Sequence, residues 1–288
     1  MTPLALSLVL TAAVLHATWN YCAKRAGGGL PFVYAVGLMI VALYVPVVLV
    51  YHRSHPLDLS WGALGWILGS GVLKTAYALI LQRGYRRGDF SLVYPMARGT
   101  GPLLATLAAV VLLGERPGLV VIGGGLLIIG SVFWMSGGPR LWQGGLAHLY
   151  PSIGHGVAIG ACIAAYTIWD RHGVSRLAIP PIYYDAGTAC TQLALLTPFA
   201  WRRRAEVQTV LQHQWRYAVG VATLSPLAYV LVLTALSFTA VSYVAPAREI
   251  SIIIGAYIGA RVLREEDSRR RMFAAVGVCL GVIALALG

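Results

Sequence analysis

Six ionisable side chains stand inside long apolar runs of this sequence: His16, Lys74, Arg98, Asp185, Arg248 and Glu249. At bilayer depth such a group costs ~2.5–3.5 kcal/mol even on the lenient insertion scale, and it persists when it faces a partner or a wet cavity. Three of them are cations. An arginine fork suits a carboxylate, phosphate or phosphonate bidentately, and a lysine adds a point charge. Glu249, with His16, offers a seat for a proton or for a substrate amine. The chemistry these residue types suit is recognition of a small polar anion or zwitterion, with no bond broken.

Helical spacing groups several of them. His16 and Asn20 are four apart with Trp19 at the third position, so all three share a face. Lys74 and Tyr77 are three apart, and Tyr94 and Arg98 four apart beside Pro95 and Pro102. Proline in a membrane helix frees backbone carbonyls that then need a hydroxyl, a water or a substrate donor, and Pro46, Pro226 and Pro246 do the same in other segments. Arg248 and Glu249 are adjacent and point ~100° apart, so one can face a cavity while the other meets a neighbouring helix. The plainer readings are a snorkelling Lys74, an Arg248 neutralised by Glu249, a structural His16, and an interfacial Asp185 after Tyr183 and Tyr184.

Catalytic signatures are missing. No His-Glu-x-x-His, no Gly-x-Ser-x-Gly and no carboxylate pair at catalytic spacing occurs, and the run Gly123-Gly124-Gly125 lacks the Gly-Lys-Ser/Thr of a phosphate loop. Cys22, Cys162, Cys190 and Cys279 are isolated, which disfavours a metal or disulfide framework. The expectation is a protein that is not an enzyme and uses no cofactor and no metal.

The elements that must position these residues follow from composition. Of 288 residues 58% are hydrophobic and 11% charged, against about 25% charged in soluble domains. That excludes an ordinary cytosolic enzyme, a disordered chain and a disulfide scaffold. The net charge of +12 would suggest nucleic acid in a soluble protein. Here the basic residues lie between apolar runs, where phospholipid and topology explain them, so no nucleic-acid partner is expected. About 20 apolar residues cross ~30 Å of hydrocarbon. Ten stretches qualify: 3–23, 31–51, 61–81, 91–113, 118–136, 150–169, 180–200, 216–237, 242–263 and 271–288. The first lacks a basic leader segment and reads as a retained helix.

A repeat organises them. At an offset of 151, SLVYPMARGTGPLLATLAAVVLLGERP (91–117) lies over the segment that begins at Ser242, pairing Ser91 with Ser242, Pro95 with Pro246 and Glu115 with Glu266. At 150, Trp19-Asn20 lies over Trp169-Asp170; at 152, Tyr77 lies over Tyr229. Each half holds five spans. Five is odd, so the second half enters the membrane upside down. The predicted fold is all-α and integral to the membrane: ten transmembrane helices as two inverted five-helix repeats, residues 1–138 and 148–288. Inverted repeats let two bundles rock about a site at their interface.

On its two five-helix halves, on His16-Ala-Thr-Trp19-Asn20, on Ser91-Leu-Val-Tyr-Pro95 and on the turn Gly114-Glu115-Arg116-Pro117, the chain resembles the EamA-type, ten-helix members of the drug/metabolite transporter superfamily. HATWNYCAKR and SLVYPMARG are also similar to a subgroup linked to phosphonate utilisation. The resemblance implies a central cavity lined by spans 1, 3, 4, 6, 8 and 9, with spans 5 and 10 behind. The expected function is secondary active transport of a small anionic or zwitterionic metabolite by alternating access. The expected site is His16, Trp19, Asn20, Lys74, Tyr77, Tyr94, Arg98, Tyr229, Arg248 and Glu249. Partners are the small-molecule substrate, membrane lipid and a coupling proton or ion, in a bacterial cytoplasmic (inner) membrane. Two alternatives are an exporter of amino acids or drugs with an aromatic-lined site, and a membrane-embedded enzyme acting on a lipid phosphate.

Glycines at GxxxG spacing, Gly65/Gly69, Gly156/Gly160, Gly255/Gly259 and Gly277/Gly281, predict close helix crossings. Lys and Arg number 15 in the odd-numbered loops and 4 in the even ones. The positive-inside rule then places both termini outside, whereas the resemblance implies both inside.

Overall fold

The computed structural model describes residues 1–56, 60–87, 90–136, 146–251, 254 and 268–287. They form helices α1 (Pro3–Arg25), α2 (Leu30–Ser54), α3 (Trp61–Arg87), α4 (Phe90–Leu113), α5 (Leu119–Ser136), α6 (Leu146–Ser175), α7 (Pro181–Trp201), α8 (Arg204–His213), α9 (Trp215–Phe238), α10 (Val241–Ala247) and α11 (Ser268–Leu287), with no strand among the described residues. Inside hydrocarbon a backbone must satisfy its own hydrogen bonds, and the helix does so within one segment. Among the described residues, four segments are long and apolar enough to cross a membrane by length and composition: Pro3–Ala23, Leu30–Ser54, Trp61–Leu81 and Trp215–Phe238, with shorter apolar helices at Thr100–Leu113 and Leu119–Ser131. Of the expected ninth span, residues 252–253 and 255–263 lie outside the described residues.

Three boundaries differ from expectation, each for a reason. α3 runs on to Arg87 and α6 to Ser175, past the last apolar residues, because polar helix ends lose nothing by continuing into the interface. The expected loop 201–215 contains α8. Its Val207 and Val210 are buried in a cluster with Phe32 and Ala35 of α2, and Glu206 and His213 stand at the ends that the helix dipole favours.

The two halves interdigitate. α1 packs on α9, α6 on α3 and α4, α2 on α7, α5 on α11, and α4 on α10. Exchanging the halves turns the α1–α9 contact into α6–α3 and leaves α2–α7, α4–α10 and α5–α11 as themselves. That is the pattern expected of two related units.

Small residues make these crossings close. A Cβ on Gly160 would overlap Thr100 of α4, and Cβ atoms on Gly277 and Gly281 would overlap Ser131 and Ile128 of α5. Gly65 meets nothing within 4 Å, so its GxxxG pair acts through Gly69 alone. Gly255 and Gly259 lie outside the described residues. The outer surface is apolar, with Val50, Val111 and Leu119 exposed to what the bilayer would cover.

Candidate functional site

Lys74 is the central residue of α3. Its ammonium lies 3.4 Å from Oδ2 of Asp170 on α6, with Asp170 0% and Lys74 14% exposed. It also stands over the Tyr229 ring, 4.1 Å from the centroid, a cation–π distance. The Asp170 carboxylate is otherwise fully engaged. Oδ1 accepts the hydroxyls of Ser70 at 2.6 Å and Tyr184 at 2.9 Å, and Oδ2 accepts the Tyr229 hydroxyl. A carboxylate offers about four acceptor positions, and here groups from α3, α7 and α9 take them.

Local sequence explains how these groups meet. Ser70 and Lys74 are four apart on α3, so both face α6. Gly69 lies against the Trp169 ring, where a Cβ would overlap it, and the Trp169 indole donates to the Trp66 carbonyl at 2.8 Å. Gly173 lies against Tyr184, and a Cβ there would push the phenol away from Asp170. Both glycines sit beside the charge pair and permit the approach that buries it.

Around this core the polar groups continue. Tyr44 of α2 lies beside Asp185, which is buried on α7 and near enough to feel the Lys74 charge. The Gln192 amide donates to the Lys74 carbonyl at 3.4 Å. Arg248, just past α10, lies 5.9 Å from the Tyr229 centroid and beside Tyr166, while Glu249 next to it is buried. Tyr77 meets Tyr166 edge-on with centroids 5.9 Å apart.

The structure therefore joins Lys74, Tyr77, Tyr229 and Arg248 in one network. His16, Trp19 and Asn20 meet one another on α1. Trp19 is T-shaped to His16 at 5.4 Å, Asn20 donates to the His16 carbonyl at 2.7 Å, and Trp19 packs with Phe32 and Ala218. The Trp19 indole N–H is buried without a partner among the described residues. Tyr94 and Arg98 lie on α4, with side chains outside the described residues.

Sequence reasoning missed Asp170, Ser70, Tyr166 and Tyr184. The expected sixth span ends at residue 169, one position before Asp170. The available signal was the repeat, which laid Asp170 over the intramembrane Asn20. Asp185 is buried inside the protein. Lys74 and Arg248 both stand at the Tyr229 ring. The intramembrane charges include the cations Lys74, Arg98 and Arg248 and the acids Asp170, Asp185 and Glu249, so the set is not simply cationic. No cluster of three or more His, Cys, Asp or Glu side chains fit to hold a metal occurs among the described residues.

The comparisons with known proteins agree with this architecture. The family model described as "EamA-like transporter family" matches twice, over residues 3–137 and 152–287. One solved crystal structure aligns with a TM-score of 0.76 at 14% identity, covering 98% of this chain and 96% of its own, a likeness of fold. No curated protein matches the sequence.

Proposed function

The chain belongs to the EamA-like transporter family, and on that premise we propose that it is a secondary transporter moving a small anionic or zwitterionic metabolite by alternating access. One observation carries the reading. The Lys74–Asp170 pair, 3.4 Å apart, is contributed by both halves: Lys74 by the first, Asp170 with Tyr229 and Arg248 by the second. A group held between two related bundles senses their relative tilt.

In this reading Lys74 and Asp170 neutralise each other until a substrate arrives. An arriving acidic group takes Lys74, assisted by Arg248, and the freed Asp170 accepts the substrate's ammonium or a coupling proton. Breaking a buried pair without replacement costs about 3–5 kcal/mol. The site therefore opens cheaply only when a substrate or proton completes the charges, which ties movement to occupancy. The units that tilt are residues 1–138 and 148–288. Energy comes from an ion gradient or from exchange, in a bacterial cytoplasmic membrane, with the arginine-rich loops facing the cytoplasm. The Trp19 N–H, without a partner among the described residues, supplies a further donor when the halves rearrange.

A second reading, an exporter with an aromatic-lined site, draws on the grouped rings of Tyr77, Tyr166 and Tyr229. A thermal-shift screen of amino acids, phosphonates and carboxylates on the purified protein, followed by flux of each hit in proteoliposomes, tests both, since a ligand that binds only the native state raises its melting temperature. Acidic or zwitterionic hits that lose binding in Lys74→Ala support the first reading. Uncharged hits indifferent to Lys74→Ala support the second, and chemical conversion of a lipid phosphate overturns both.

A further inference from the structure

α6 has two opposite faces. Asp170 points into the site just described. Nine residues earlier, ~180° around the helix at ~100° per residue, Ala161 is exposed, and so is Ala165 on the same side. These alanines floor a groove of about 590 Å³ walled by Leu104, Leu112 and Trp66 of α4 and α3. That volume lies within the ~300–1,000 Å³ of ligand sites. Leu112 is exposed too, so the groove opens outward, to the bilayer. From Ala161 to His172 it follows eleven residues of α6, ~16 Å at ~1.5 Å each. This is about half of the ~30 Å hydrocarbon core, the depth of one leaflet.

Its end is differently built. Trp66 lies against Trp169, with ring centroids 4.0 Å apart, and stacks on His172 at 4.5 Å and 19°. Trp169 is itself seated on Gly69, so this aromatic wall is fixed in place. One turn beyond His172, Arg176 continues the helical hydrogen bonding, donating its N–H to the His172 carbonyl at 2.9 Å, and its side chain is exposed. The groove thus runs from small apolar residues to stacked aromatics, and an exposed cation stands one turn beyond its end.

We propose that this groove holds one anionic phospholipid of the adjoining leaflet, its acyl chain along Ala161 and Ala165 and its phosphate at Arg176 and His172. A lipid seated there supports the outer side of α6 directly behind Asp170. A basic residue near the surface contributes ~1 kcal/mol toward an anionic headgroup, about a fivefold preference.

Native mass spectrometry of the purified full chain, released from mixed micelles with equal phosphatidylglycerol and phosphatidylcholine, tests it. The expected spectrum has a dominant one-lipid adduct with phosphatidylglycerol favoured about fivefold. Ala165→Trp, or the milder Ala161→Leu if the first fails to fold, removes the adduct, whereas Leu195→Trp on the exposed side of α7 leaves it. Arg176→Gln keeps the adduct and brings the two lipids level. A wild-type spectrum without headgroup preference, an adduct that survives the folded groove variants, or a preference that survives Arg176→Gln overturns the proposal.

Discussion

The Glu115 carboxylate accepts the backbone N–H of Val241 at 2.8 Å through Oε1, and its other oxygen accepts that of Ser242 at 3.0 Å. The turn after α4 in the first half is thereby fastened to the start of α10 in the second. Gly114, at φ 68°, supplies the left-handed step that ends α4 and turns Glu115 toward its partners. Arg171, which feels the Glu115 charge, donates to the Leu236 carbonyl near the end of α9, so both ends of the α9–α10 connection are held.

Glu115→Ala removes two charge-assisted hydrogen bonds and leaves two helix-start donors unsatisfied. The expected loss is about 2–3 kcal/mol, seen as a fall in melting temperature of several degrees in detergent. Glu115→Gln, which retains one acceptor oxygen, loses less. Equal melting temperatures for wild type and Glu115→Ala would show that the contact does not join the halves.

Asp170→Asn keeps the size of the side chain but strands the Lys74 ammonium. The expected destabilisation is about 3–5 kcal/mol. The double variant Asp170→Asn with Lys74→Met removes both charges and recovers most of it, yet does not recover solute flux. Thermal melts of the two singles and the double measure the coupling, and additive losses would sink the pairing.

Tyr229 makes two separable contributions. Tyr229→Phe loses the hydrogen bond to Asp170 but keeps the ring under Lys74, whereas Tyr229→Leu loses both. A stepwise loss of stability is expected, about 1 kcal/mol for the hydroxyl and a further ~0.5–2 kcal/mol for the cation–π contact. Identical melts for the two variants would deny the ring a role.

Gly173→Ala is expected to act on Asp170 without touching it, by displacing the Tyr184 phenol. Its effect on solute binding then equals that of Tyr184→Phe, and the two changes together cost no more in binding than either alone. A Gly173→Ala protein that binds normally while Tyr184→Phe does not would separate the two residues.

Residue types along the chain already place it in a membrane, locate its apolar runs, reveal the repeat of its halves and put Lys74, Arg248 and Glu249 inside apolar runs. These are local properties: hydrocarbon forces each apolar run to close its own backbone hydrogen bonds, and a charge within one is visible as a residue type. The packing of the helices adds that Lys74 answers to Asp170 and that Tyr184 and Ser70 complete that carboxylate. Helical spacing reveals which residues share a face of one helix. It does not reveal which helix that face meets, because that depends on close approaches such as Gly69 to Trp169 and Gly173 to Tyr184, made between residues far apart in the chain.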